Sequence, residues 1–166
     1  MRIYMRGLGA SVLIVLLVSA TAADEEVPLE KLPKKVVAAV KAKFAGAELV
    51  SATKDSEEGK TYYEVAIKHK KEELEITLTP DGKIIEITKE IDPDDLPKVV
   101  VAALEKKYPK ANLEEANEAI EAESNRKNYY VIIETAQEKL LEIKVDAKGK
   151  ILKEKPKKKD DEQPGS

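Results

Sequence analysis

The sequence is built largely from two copies of one unit. Residues 32–34 (LPK) return 64 residues later as residues 96–98 (LPK). Further along we align Tyr63 with Tyr130, an offset of 67 residues. Because a repeat forms the same supersecondary unit each time it occurs, both copies should share one fold. Units of about 60 residues bury little surface alone, so we expect the two copies to pack together.

Within each copy the apolar period changes from helical to extended. Apolar residues at 32, 36, 40 and 44 have helical spacing, and Pro33 lies in the first turn, where an absent N–H costs nothing. Later residues alternate between apolar and polar, as strands with one buried face do. This order predicts an α+β fold of two tandem units, each with one helix packed on a four-stranded antiparallel sheet. The expected strands are 48–54, 63–68, 73–79 and 84–88, then 112–122, 128–135, 139–146 and 150–153.

The N-terminus has the pattern of a secretory signal peptide. Arg2 and Arg6 are followed by an apolar run over residues 8–18 and then by small residues, with Ala20 and Ala22 in the A-x-A arrangement. We expect cleavage after Ala22 or its neighbour Ala23. A membrane anchor would need about 20 apolar residues, and lipid attachment would need a cysteine, which the chain lacks. The mature protein should therefore be periplasmic or secreted, with no membrane span.

These features divide the chain into four parts. We predict a signal peptide at 1–23, a first repeat at 24–91, a second repeat at 92–153 and a charged tail at 154–166. The tail carries a lysine run, an acidic run and two prolines without apolar periodicity. Such a segment buries too little apolar surface to offset its ordering entropy, so we expect it to be disordered.

The ordered motifs resemble a known family. Residues 62–65 (YYEV) and 81–84 (DGKI) match in the first copy, and residues 129–131 (YYV) and 149–151 (GKI) match in the second. The pattern is similar to PepSY-like domains grouped with beta-lactamase-inhibitor-protein-like folds. The resemblance implies exported bacterial binding modules, related to PepSY domains thought to restrain peptidases and to an inhibitor that covers an enzyme with its concave sheet face. It supplies no catalytic residues, and without the inhibitor's cysteine pairs it does not imply beta-lactamase inhibition.

The inventory of reactive side chains is small. The single histidine, His69, is followed by two lysines in a predicted turn, and the sequence places no nucleophile beside it. Asp92, Asp94 and Asp95 could bind Ca²⁺, but capping of the second helix explains two of them without a metal, and we favour that interpretation. We therefore predict no catalytic residue, no metal and no cofactor. With 29 basic against 32 acidic residues, nucleic-acid binding is also not expected.

One apolar row lies where a polar face is expected. Aligned with the outward position of Tyr62, the second copy has Tyr129, Val131 and Ile133. If exposed together, these side chains would form a patch suited to a protein partner. The alternative is that the neighbouring copy or a crossing segment covers the row.

We therefore expect a non-catalytic, exported protein-binding module. Its partner would be another protein that the sequence does not identify, and a specific role would be inhibition or regulation of an envelope enzyme such as a peptidase. The alternative is a structural envelope protein that associates with itself.

Overall fold

A single antiparallel sheet of nine strands organises the part of the chain that the computed structural model describes, residues 25–57 and 59–157. Each strand pairs with the next one in chain order. The strands are β1 (Glu25–Glu26), β2 (Glu48–Glu57), β3 (Lys60–His69), β4 (Glu72–Leu78), β5 (Ile84–Ile91), β6 (Asn112–Glu121), β7 (Lys127–Glu134), β8 (Leu140–Asp146) and β9 (Ile151–Pro156). Helix α1 (Lys34–Lys43) lies between β1 and β2, and α2 (Lys98–Lys107) lies between β5 and β6. Pro33 and Pro97 precede the helices as their N-cap residues.

The α+β prediction with antiparallel strands is confirmed, but the two copies do not form separate four-stranded sheets. Strand β5 pairs with β6 from Glu86↔Glu121 to Ile91↔Ala116, so the strands of both copies form one sheet. Pairing these two strands satisfies backbone groups that two separate sheets would leave at exposed edges.

Both helices pack on the same side of the sheet. The α1 core includes Val36 and Val40 with Ile87 beside them, and the α2 core includes Val100 with Ile91 beside it. Ile87 and Ile91 are four residues apart on β5, so they point to the same face. We call the opposite, helix-free side of the sheet the open face.

The structure corrects the expected exposure of the apolar row. Tyr129, Val131 and Ile133 are only 4%, 0% and 1% exposed, and they pack in the α2 core. They belong to the helix side of β7, whereas Tyr62 is partly exposed on the open face of β3. The predicted residues therefore do not form one surface.

The reason is that the offset of 67 used to align the two copies is one residue too large in β7. Val65 lies between Ala52 and Ile76, and Val131 lies between Ala116 and Ile143 in the same way. Val131 is thus the equivalent of Val65, at an offset of 66 rather than 67, and the turn between β7 and β8 holds the extra residue. Because strand side chains alternate, a slip of one residue exchanges the two faces.

The expected start of the tail is also corrected. Strand β9 continues to Pro156, and the backbone N–H of Lys157 donates to the carbonyl of Leu140 at 3.0 Å. Residues 154–156 therefore belong to the sheet, because they pair with β8. The remaining tail residues 158–166 and the predicted signal peptide 1–23 lie outside the described residues.

Helices long and apolar enough to cross a membrane do not occur within residues 25–57 and 59–157.

Candidate functional site

The open face is concave. Val50 and Ser51 of β2 and Lys153 and Lys155 of β9 line the same groove, which has a volume of ≈ 910 Å³. A flat sheet would separate β2 from β9 by about 34 Å, since neighbouring strands lie about 4.8 Å apart. Twisting and coiling of the sheet must therefore bring the two sides toward each other. The groove is wide enough for a ligand to enter from this side.

Charge is distributed unevenly along this groove. Its lining residues on β2–β5 include six carboxylates and, among described residues, no lysine or arginine: Asp55, Glu64, Glu73, Glu75, Glu86 and Glu90. The lining on β6–β9 is balanced, with two glutamates and three lysines: Glu115, Glu142, Lys144, Lys153 and Lys155. We call the lining residues of β2–β5 the acidic half.

A hydrogen-bonded cluster lies where the two halves meet. The Tyr130 hydroxyl donates to Oε1 of Glu86 at 2.7 Å, and Lys144 Nζ donates to Oε2 of Glu86 at 3.1 Å. Lys144 Nζ also donates to the Tyr130 hydroxyl oxygen at 2.6 Å. Glu86 is only 8% exposed, and a buried carboxylate is costly unless it is paired in this way. The cluster therefore ties β5 of the first copy to β7 and β8 of the second.

The protonation of Tyr130 suits this role. Burial raises the pKa of the Tyr130 hydroxyl far above its usual value, and the neighbouring Glu86 carboxylate raises it further. Tyr130 consequently remains a neutral donor at physiological pH. The Tyr130 hydroxyl, the Glu86 carboxylate and the Lys144 ammonium group thus satisfy one another's hydrogen bonds.

Two lysines at the end of β9 and just after it, Lys155 and Lys157, pair with carboxylates on the open face of the second copy. Lys155 Nζ lies 3.2 Å from Oε1 of Glu142, and Lys157 Nζ lies 3.6 Å from Oε2 of Glu115. Ile132 is in register between those two glutamates, and it is buried although it points to the open face. The long aliphatic stems of lysine cover apolar surface while their ammonium groups reach carboxylates.

Sequence reasoning missed the residues that matter most on this face. Glu86, Tyr130 and Lys144 come together only when β5, β7 and β8 lie in one sheet and present these three side chains on the same face. The signal that could have found Tyr130 is the spacing between paired strands: Val131 and its partner Ile143 are 12 residues apart, one more than Val65 and its partner Ile76. His69 was expected in an exposed turn, but it ends β3 and packs edge-on against Phe44, with ring centroids 5.6 Å apart.

The β6–β7 hairpin contains a carboxylate whose ionisation should stabilise the fold. A hydrogen bond from Ser124 Oγ at 2.7 Å, with others from Arg126 and Asn128, lowers the pKa of Glu121 to about 2. A carboxylate with a lowered folded-state pKa stabilises above its usual pKa of 4.5, and that contribution is lost as the pH falls toward the folded-state value.

We predict that Glu121→Gln reduces the free energy of unfolding by about 1 kcal/mol at pH 7. Urea denaturation at several pH values should show the difference from wild type shrinking as the pH falls from about 5 to about 2. Glu105→Gln, at an exposed position on α2, is the control and should change little. A difference between Glu121→Gln and wild type that is the same at pH 7 and pH 2 would contradict the assignment.

Comparison with known proteins matches this chain to one family by sequence and to several solved structures by fold. A family model described as "Putative beta-lactamase-inhibitor-like, PepSY-like" matches residues 20–86 and again residues 85–153. The resemblance expected from the sequence motifs is thus confirmed. No curated protein matched the chain.

The solved structures are similar in fold at low sequence identity. A "putative periplasmic" protein of Bacteroides eggerthii has a TM-score of 0.60 at 15% identity, over 75% of this chain and 88% of that one. A DUF2874 family protein of Bacteroides uniformis gives the same TM-score, identity and coverage. A BLIP-like protein of Bacteroides fragilis has a TM-score of 0.54 at 16% identity, over 74% of this chain and 84% of that one.

Proposed function

Because the chain belongs to the PepSY-like, beta-lactamase-inhibitor-like family, we propose that it is a non-catalytic exported protein that binds another protein on its open face. The observation that carries the proposal is the concave groove, which runs from β2 to β9 on the helix-free side of the sheet. Specific protein interfaces bury about 800 Å² on each partner, and a face spanning most of nine strands is wide enough for that.

The chemistry of the groove supports binding over catalysis. Its lining is mainly carboxylates, lysines, serine and threonine, and the cluster of Glu86, Tyr130 and Lys144 is held by its own hydrogen bonds. His69, the one imidazole of the chain, packs against Phe44. A general base needs a nucleophile or substrate proton within hydrogen-bond reach, and this ring contact does not supply one.

Export and regulation complete the proposal. The signal-peptide pattern at 1–23 directs the chain to the periplasm or out of the cell. The family description names an inhibitor-like relative, and a concave sheet face is suited to covering a convex part of an enzyme. We therefore propose inhibition or regulation of an envelope enzyme, such as a peptidase, as the specific role.

The test compares partner capture by two matched double variants. Thr77→Tyr/Thr88→Tyr adds bulk to the floor of the groove on β4 and β5 without changing charge. Ala38→Tyr/Ala102→Tyr adds the same groups at repeat-equivalent exposed positions on the two helices. Each variant of residues 24–166 would serve as bait in native envelope extract after its folding has been checked by thermal denaturation.

A partner that is retained by wild type and by the helix variant, but lost by the groove variant, is the expected result. A partner that is retained equally by all three baits would show that binding does not use the open face. Sedimentation of the same proteins covers the alternative function. Concentration-dependent dimerisation that only the groove variant loses would identify the face as a surface for self-association.

A further inference from the structure

We propose that the outer edge of β9 is a docking edge for a second copy of this chain, and that the residues of β9 hold it closed. Within the described residues β9 pairs with β8 alone, so it ends the sheet. An unpaired strand edge offers backbone N–H and C=O groups to another chain, and proteins block such edges with charged side chains and proline. The proposal goes beyond the open face, since pairing at β9 would widen the sheet without filling its groove.

The junction of the two copies shows what this type of edge does when it is open. Strand β5 is the repeat equivalent of β9, and its far edge pairs with β6 from Glu86 to Ile91. The Ala122 N–H donates to the carbonyl of Ile85 at 2.8 Å, so Ile85 and every second residue after it direct backbone groups toward β6. Ile87 belongs to this set and lies opposite Ile120. An apolar edge residue with free backbone groups is therefore enough to add a strand here.

The same positions of β9 carry residues that oppose pairing. Glu154 lies opposite Ile143 on β8 as Ile87 lies opposite Ile76 on β4, so a carboxylate replaces an apolar side chain. Two residues further along, Pro156 stands where β5 has a lysine. Proline has no backbone N–H, so this position cannot donate to a neighbouring strand. The second copy thus lacks both features by which the first copy adds β6.

The helix beside β9 differs in a matching way. Lys107 Nζ and the Tyr108 hydroxyl both donate to the carboxylate of Glu154. In the first copy the residue that ends the helix, Phe44, packs against the α1 core, as Ile87 does. The carboxylate is therefore held at the edge by partners of its own, and a strand added there would bury a charged group at a cost.

A second copy would have to bring its own β9 to this edge, because the opposite edge of the sheet already carries β1. The Val27 N–H, just after β1, donates to the Ala52 carbonyl of β2 at 2.9 Å. Two β9 strands related by a two-fold axis would run antiparallel, with outward-directed residues opposite each other. In the centred register the two Glu154 side chains meet, and each Lys153 lies opposite a Lys155. Like charges directly opposite destabilise a strand pair, so β9 is closed against its own copy.

The test gives β9 the residues of β5. The edge variant installs the first-copy residues at three positions: Glu154→Ile/Lys155→Thr/Pro156→Lys. The control makes the same exchanges at exposed positions on and just after α2: Glu105→Ile/Lys106→Thr/Pro109→Lys. Sedimentation equilibrium of residues 24–166 measures association once thermal denaturation has confirmed folding. We expect the edge variant to dimerise with a Kd of about 10–100 µM, and wild type and control to associate at least about tenfold more weakly.

Amide hydrogen exchange locates the contact. The N–H groups of Leu152 and Glu154 point away from β8, so in the edge variant their exchange should slow as the protein concentration rises. In wild type the exchange rates of both groups should not depend on concentration. A wild-type dimer formed through the open face would leave these groups unprotected, so they report on β9 separately from the proposed function.

Equal association of wild type and the edge variant would overturn the proposal. Association of the control variant as tight as that of the edge variant would also overturn it, because the loss of charge and proline anywhere would then explain dimerisation. Protection of Leu152 and Glu154 that rises with wild-type concentration would show that the edge is open. If the triple variant does not fold, Glu154→Ile with Glu105→Ile as its control makes the same comparison.

Discussion

Replacing Ile133 with alanine is expected to lower the free energy of unfolding by about 2–5 kcal/mol. Ile133 is fully buried in the α2 core, where it packs with Leu104 and Ile143 among others. Shortening it removes buried methyl groups and leaves a cavity that a close-packed core fills only in part. Urea denaturation followed by circular dichroism measures the loss, and the slope of the transition should stay unchanged.

The control for this substitution is Leu152→Ala. Leu152 lies on β9 and is 46% exposed, so its truncation should change stability by less than about 0.5 kcal/mol. If Ile133 were instead a surface residue that contacts a partner, both substitutions would have similarly small effects on unfolding. That outcome would place β7 in the other register, with Ile133 on the open face.

Replacing Gly149 with alanine is expected to destabilise the protein more than replacing Gly46. Both glycines have positive φ, +83° and +82°, and a Cβ there costs about 1–2 kcal/mol. At Gly149 the added Cβ would also lie 2.7 Å from the backbone carbonyl oxygen of Val99, while at Gly46 nothing lies within 4 Å. The turn before β9 sits directly against the first turn of α2, so relief of the clash must move backbone.

We expect Gly149→Ala to cost about 1–3 kcal/mol more than Gly46→Ala, as overpacking in a close-packed region does. Thermal and urea denaturation of the two variants give the comparison. Gly82→Ala should behave like Gly149→Ala, because its Cβ would lie 2.6 Å from the carbonyl oxygen of Lys35 at the start of α1. Equal losses at Gly46 and Gly149 would show that the turn and helix are not in close contact in solution.

Periodicity was sufficient to predict the helices and nearly all the strands. Each helix has apolar residues on one side and a proline before its first turn, and strands such as β3 and β4 alternate, so local residue order is enough to identify these elements. The short strand β1 was missed because two residues, Glu25 and Glu26, carry no readable period. The end of β9 was missed because its lysines resemble a solvated tail, although they pair with carboxylates of the open face.

The assignment of faces in β7 could not be predicted from the repeat alone. Residues 131–133 (VII) of β7 are apolar at three consecutive positions. Either the odd or the even positions of this strand could therefore face the core. The tertiary structure decides between them, because Ala116 and Ile143 beside Val131 also face α2. Ile132 then falls on the open face, in register with Glu115 and Glu142, whose carboxylates pair with Lys157 and Lys155.

By itself, the sequence determined the repeat, the α+β class and the family, since all three depend on residue types at fixed spacing along the chain. Only the tertiary structure decided that β5 and β6 join the copies, that the sheet curves into a groove and that its acidic half lies opposite lysine-bearing β9. These properties depend on pairings between residues far apart in sequence, such as Glu86 with Lys144, 58 positions along the chain. Such pairings leave no periodic signal, because the energy that selects them comes from burial and charge in the assembled sheet.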